Sequence, residues 1–299
     1  MQEVLNEPLD AHGNAESSNA FAAWPEPLHA QTHLGAVEYR DTGHGPVVVF
    51  LHLVLAEASH WDRVLPFMAG HRCVFPTLPM GAHRLPANHD ADLSTAGLAR
   101  AVADLLEHLD LHDVTLVGND SGGAIAQVVA ATHPERLGRV VLTNCDMFDE
   151  FPPKTFGYFK VLPYIPGALW ITARTLKIRF FWPLPFVFGR LTNDVDGVKI
   201  HRWADALLAD KRVRRDANKV IKGFGPAVTN KAVAALRSSQ LPFLVAWGAD
   251  DRAFKPRLAQ RFCREVPTAT LVMIENCKTL VCWDQPQRLA QLIAEFVAR

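Results

Sequence analysis

The chain has 299 residues, 49% of them hydrophobic, with 31 basic and 31 acidic side chains. That size and apolar content suit one large domain, or one domain with an insertion, around a sizeable core. Zero formal net charge removes the global signature of a nucleic-acid binder, and no apolar stretch is long enough for a transmembrane segment.

Residues 1–28 are polar, rich in Ala, Asn, Ser and Glu, and show no period, so an N-terminal extension is expected there. Ala36-Val37-Glu38-Tyr39-Arg40 alternates like a short strand, and a Gly-rich turn follows at 43–45. Val47 to Leu51 is a continuous β-branched and apolar run, the mark of a strand buried on both faces. A helix-like stretch at 59–69 precedes another strand at 74–75. Residues 93–110 form an amphipathic helix, with Leu98, Val102, Leu105, Leu106 and Leu109 on one side.

Strands at 114–117 and 139–143 flank a helix at 122–132. A strand at 244–247, a helix at 256–266, a strand at 270–274 and a helix at 284–298 close the chain. The alternation predicts an α/β fold: a mostly parallel sheet of about eight strands with helices on both faces. The rhythm breaks over 151–240, which holds helical patterns, many prolines and eleven aromatics between Phe151 and Phe188. The expected organisation is a core of 29–150 and 241–299 with a helical cap at 151–240. Lys and Arg greatly outnumber Asp and Glu in that cap. A solvated outer face explains this, and weak contact with a membrane surface is the alternative.

Cys73, Cys145, Cys263, Cys277 and Cys282 have neither metal-ligand nor CxxC spacing. An odd count of this kind suggests free thiols in a cytoplasmic protein. No basic-then-apolar leader opens the chain. Neither metal nor cofactor is expected.

The most informative stretch is Gly118-Asn119-Asp120-Ser121-Gly122, between a strand and a helix. Glycines two positions either side of Asp120 permit a tight turn that presents its carboxylate over a helix N-terminus. This is the spacing of a nucleophile elbow with aspartate at its tip. A capping aspartate on a glycine-rich turn is the plainer alternative. Centring the turn on Ser121, as in a serine protease, spoils the spacing.

With this elbow, Val-Val-Val-Phe-Leu-His at 47–52, Trp61, His133-Pro134-Glu135-Arg136, Trp247-Gly248-Ala249-Asp250-Asp251 and Asp284-Gln285-Pro286, the chain resembles the α/β-hydrolase superfamily over about 35–299. Its aspartate-nucleophile branch is similar to epoxide hydrolases and haloalkane or fluoroacetate dehalogenases. The resemblance implies attack of Asp120 on carbon, an alkyl-enzyme ester, and hydrolysis of that ester by water activated by a histidine that a second acid orients. Asp251 stands at the position of that acid, and Asp146 at an alternative one used by some dehalogenases.

The family histidine is missing: its place is taken by Thr279, and no histidine follows His201. The family His-Gly before the oxyanion hole is His52-Leu53, leaving the N–H groups near Leu53 or Val54, and that of Ser121, as donors. Ser121 also occupies the place of a halide-binding tryptophan. The two cap tyrosines that epoxide hydrolases use to protonate a ring oxygen would have to come from Tyr158 and Tyr164, for which packing in the aromatic cluster is the alternative role. His83, in a loop on the strand rim, and Lys278, beside the vacant position, are the candidates to replace the base. His52 is usually structural in this superfamily.

These features predict an enzyme acting through Asp120 on a hydrophobic small molecule, by epoxide hydrolase- or dehalogenase-like hydrolysis with an atypical base. A non-hydrolytic enzyme with Asp120 as general base, or a pseudoenzyme that binds a ligand or partner, remains the alternative.

Overall fold

A computed structural model describes residues 26–299. All but the last three residues of the expected 1–28 extension lie outside them. The strands are β1 (Leu28–Thr32), β2 (Gly35–Thr42), β3 (Val47–Leu51), β4 (Arg72–Thr77), β5 (Val114–Asp120), β6 (Leu137–Cys145), β7 (Phe243–Gly248) and β8 (Ala269–Ile274). They form one eight-stranded sheet in the order β1-β2-β4-β3-β5-β6-β7-β8. β2 runs antiparallel to both β1 and β4. Every pairing from β4 through β8 is parallel. Strand β5 is buried along its whole length, as a strand covered on both faces must be.

The helices are α1 (Thr95–His108), α2 (Ser121–Thr132), α3 (Ala168–Leu176), α4 (Gly197–Ala209), α5 (Lys211–Lys222), α6 (Pro226–Leu236), α7 (Pro256–Glu265), α8 (Val281–Asp284) and α9 (Pro286–Val297). Ser94 caps α1 by accepting the Gly97 N–H at 3.2 Å. Helix α2 is apolar and buried; it packs on β3, β5 and β6 and against α1 and α6. α3 to α6 and several 3-10 turns lie between β6 and β7, and none of their residues joins the sheet.

Three expectations change. Leu28–Thr32 is an edge strand paired to β2, although its largely exposed residues carry no apolar alternation. The stretch 59–69 is not a helix but two short 3-10 turns, Ala58–Trp61 and Leu65–Phe67, the second holding Pro66, which has no N–H to give. The last helix is split, because Gln285 leaves the helical region (φ −139°, ψ 55°) ahead of Pro286.

Candidate functional site

Asp120 ends β5 with φ 54° and ψ −128°. That is a costly conformation for a non-glycine residue, held here by its surroundings. Three neighbouring glycines make it feasible. A Cβ on Gly118 would strike the Gly122 carbonyl, one on Gly122 would strike the carbonyl oxygens of Leu51 and His52, and one on Gly123 would strike the Cys145 side chain. The turn therefore presses α2 directly onto the ends of β3 and β6. Asp120 Oδ1 accepts the Ser121 N–H at 2.7 Å, at the positive end of α2. Burial pushes the Asp120 carboxyl up to about 6, against the opposing pull of the Ser121 amide and hydroxyl.

Asp120 and Asp146 line one cavity of about 90 Å³ between the strand ends and the inserted segment. Its walls are mostly apolar: Leu53, Val54 and Leu55 from the loop after β3, and Phe156, Phe159, Val187, Phe188, Ile200 and Trp203 from the inserted segment. Tyr158 is also on this wall and donates its hydroxyl to Phe186 O at 3.1 Å. Tyr164 is not; it is 67% exposed, with the Lys222 ammonium 5.0 Å from its ring centre. The expected tyrosine pair is therefore reduced to Tyr158.

Asp146 follows β6 and is 3% exposed. Its N–H donates to Asp120 O at 3.3 Å, and Gln127 Nε2 donates to its carbonyl at 2.9 Å. Its carboxyl oxygen Oδ1 is buried without a hydrogen-bond partner. Burial first, and then the charge of Asp120, push this carboxyl well above the usual carboxylate range.

Asp251 is held differently. Its Oδ1 accepts the Ala253 and Phe254 amides at 2.6 and 3.0 Å, and its Oδ2 accepts Asn144 Nδ2 at 2.6 Å and the Thr279 hydroxyl at 2.8 Å. Burial still raises it to about 7. Thr279 is fully buried, and its hydroxyl occupies the space beside Asp251.

On the approach side, Val54 N–H donates to Ser121 Oγ at 2.6 Å. One expected oxyanion donor is thus satisfied by the serine, and the Ser121 amide is the one bonded to Asp120. Leu55, on the cavity wall, adopts φ 62°, a strained value for a leucine. His52 is structural: it accepts the Leu78 N–H at 2.9 Å, its other ring nitrogen lies 2.8 Å from Leu53 O, and burial drives its pKa down to about 4.

Neither candidate substitute base reaches the cavity. His83 accepts the Gly81 amide at 3.1 Å, lies 3.3 Å from Asp216 Oδ2, and borders a separate small pocket. Lys278 Nζ donates to Gly189 O and Thr192 O at 2.9 and 3.2 Å, not to Asp120 or Asp251. Both sit in loops, where side-chain direction follows tertiary packing rather than a periodic pattern.

Sequence reasoning missed Asn119 as a structural hub. Its Nδ2 lies 2.8, 3.0 and 2.9 Å from Thr143 Oγ1, Asn144 O and Thr279 O, while its Oδ1 is 3.0 Å from His60 Nε2. It ties the ends of β5 and β6 to the loop after β8. A polar residue inside the elbow of a buried strand was the available signal. His60 is buried, shifted well below its ordinary pKa by burial, and within 3.2 Å of Cys282 Sγ, but does not line the cavity. Among the described residues no cluster of three His, Cys, Asp or Glu could hold a metal.

A family model described as alpha/beta hydrolase fold matches residues 46–286, and the chain belongs to that family. It is 27% identical over 269 residues to haloalkane dehalogenase 2 of Mycobacterium bovis, covering 87% of this chain and 91% of that protein. It is 25% identical to a 2-hydroxy-6-oxo-6-phenylhexa-2,4-dienoate hydrolase of Burkholderia cepacia, over 88% of this chain and 91% of the relative. Among solved structures it is similar to haloalkane dehalogenase DatA of Agrobacterium tumefaciens C58, with a TM-score of 0.76, 17% identity, and coverage of 94% of this chain and 99% of that one. A thermophilic esterase from Thermogutta terrifontis superposes with a TM-score of 0.71 at 19% identity, covering 92% of this chain and 98% of that one. At these identities the structures establish the fold alone.

Proposed function

We propose that this protein is a hydrolase that uses Asp120 as a nucleophile on a hydrophobic small molecule with an electrophilic carbon, as epoxide hydrolases and haloalkane dehalogenases do. The observation that carries this is the Asp120 carboxylate on a strained turn, facing an apolar cavity, with one oxygen held by the Ser121 amide. A carboxyl at about 6 is mostly ionised at neutral pH and therefore nucleophilic. The dehalogenase relative supports the chemistry. Residues 151–240 serve as the cap that closes the cavity over a core of 29–150 and 241–299. Intact-mass measurement after incubation with styrene oxide and with 2-phenylethyl bromide tests the reading. An adduct on Asp120, or turnover of either probe, supports it; neither from the folded protein rejects it.

The Thr279 hydroxyl bonded to Asp251 favours a second reading, in which Asp120 removes a proton from a substrate carbon and no ester forms. Deuterium exchange into a bound carbonyl compound, without adduct or hydrolysis, identifies it. Binding without either reaction identifies a pseudoenzyme.

The cap also carries features of a membrane-facing surface. Residues 151–193 contain no Asp or Glu, and Val161, Ile165, Trp170, Ile171, Ile178 and Phe180 are exposed there. An apolar surface with basic neighbours suits an anionic lipid interface. Cosedimentation with vesicles of phosphatidylserine and phosphatidylcholine, lost on Trp170→Ser with Phe180→Ser, tests it; equal sedimentation of both proteins refutes it. No described helix is long and apolar enough to cross a membrane. All five cysteines are free, which supports a cytoplasmic setting, to be checked by cell fractionation.

A further inference from the structure

We infer that Asp146 is a second catalytic residue of this cavity: it protonates an oxygen leaving group and then, as carboxylate, activates the water that cleaves the Asp120 ester. The inference rests on the reading of Asp120 as nucleophile.

The geometry favours this residue in several ways. Asp146 is bonded through its N–H to the Asp120 carbonyl, and both residues face the same cavity. Its Oδ1 is buried and has no hydrogen-bond partner. No protein group holds this carboxyl in place, so it is free to engage a group that enters the cavity it lines. Two carboxyls that share an apolar site cannot both ionise readily. Burial and the neighbouring Asp120 keep the proton on Asp146 while Asp120 is free to attack.

The other polar groups on the wall are engaged. The Trp203 indole N–H points to Glu57 Oε1 and Ser59 Oγ, at 3.2 and 3.3 Å. The Tyr158 hydroxyl donates to Phe186 O and the Thr172 hydroxyl to Ala168 O. Asp251 does not line this cavity and already accepts four hydrogen bonds. A halide leaves without a proton and needs donors around it, and these side chains are turned elsewhere. An alkoxide needs a proton, and Asp146 holds one. The site therefore favours an epoxide over an alkyl halide.

The steps balance. An Asp120 oxygen bonds to a ring carbon, the ring C–O bond breaks, and its oxygen takes the Asp146 proton. The products are a hydroxyalkyl ester and an Asp146 carboxylate. Water then adds to the ester carbonyl carbon. One of its protons passes to Asp146, and the Ser121 amide stabilises the oxyanion on Oδ1. The ester C–O bond breaks, the departing alcohol oxygen takes the second proton, and a diol is released. One water oxygen stays in the Asp120 carboxylate.

The test uses the full chain and its Asp146→Asn variant, with styrene oxide and 2-phenylethyl bromide as probes. Wild type should hydrolyse the epoxide, and a single turnover in ¹⁸O-water should label Asp120. Asp146→Asn should lose epoxide opening by about 100-fold or more, the usual scale for a positioned acid. It should still be alkylated by the bromide, and that adduct should persist. Formate should restore epoxide turnover to Asp146→Ala, which separates lost chemistry from lost structure. Equal turnover by wild type and Asp146→Asn overturns the inference and leaves Asp120 as nucleophile. So does an ester that accumulates in wild type with the epoxide. A wild type that gives no adduct, no label and no turnover defeats the Asp120 reading, and this inference falls with it.

Discussion

The elbow and the loop after β8 meet at Asn119, yet they are built on opposite terms. At the elbow the chain bears a residue at φ 54°, three glycines that admit no Cβ, and a carboxyl raised to about 6. In the loop after β8, Thr279 is fully buried and bonded to Asp251, and its carbonyl is bonded to Asn119. Both places bury a carboxyl, but backbone strain is confined to the elbow, while Thr279 and Asp251 sit in a satisfied hydrogen-bond network. A strained residue beside a cavity is a sign of use, whereas a satisfied threonine is a sign of packing. On the proposed reading, the difference separates a presented carboxylate at the elbow from a loop after β8 that offers no group beside Asp251 to activate water.

The sharpest way to break this contrast is Asp120→Asn. It should lower adduct formation and turnover by about 10³-fold or more, read by intact mass and product assay. Unchanged turnover would mean that the elbow is only a turn.

The same side chain should mark the stability curve. Raising its carboxyl from an ordinary 3.8 to about 6 corresponds to about 3 kcal/mol. The folded state keeps a proton that the unfolded state releases, so this destabilisation is absent below about pH 4 and grows as pH rises through about 6. Asp120→Asn should therefore be more stable than wild type at pH 8 and nearly equal to it at pH 3.5. Denaturant melts at the two pH values check the sign.

Thr279→His puts an imidazole beside Asp251. It should speed hydrolysis of a trapped Asp120 ester by about 100-fold, measured as decay of the adduct mass. A smaller effect, together with lower stability, would mean that the closed packing at this position leaves no room for the ring. The gentlest probe is Thr279→Val. Loss of the hydroxyl removes one of four bonds to Asp251 and should cost about 1 kcal/mol without changing the Asp120 chemistry. A large loss of turnover instead would show that Asp251 matters to the reaction after all.

Much of the fold was legible because its signals are local. The β-branched run at 47–51, the amphipathic helix before β5 and the glycine spacing around Asp120 each place an element by steric rules acting within a few residues. The short strand β1 was not legible, since an exposed edge carries no apolar alternation. Nor were the two 3-10 turns in place of a helix at 59–69, where apolar spacing is present but Pro66 lacks the N–H that a continuous helix would need.

By itself the sequence determined the fold class, the helical insertion, an aspartate at the tip of the elbow, and the absence of any histidine after His201. Those follow from residue type and spacing along the chain. Only the tertiary structure decided what surrounds each group. It turned His83 to Asp216 and Lys278 to two backbone carbonyls, and it kept Tyr158 on the cavity wall while leaving Tyr164 in solvent. It also set Asp146 on the wall of the cavity that Asp120 lines, with one carboxyl oxygen buried and unpaired. Ionisation and reactivity depend on burial and on neighbours distant in the chain, and these exist only once the strands and the inserted helices have closed around the site.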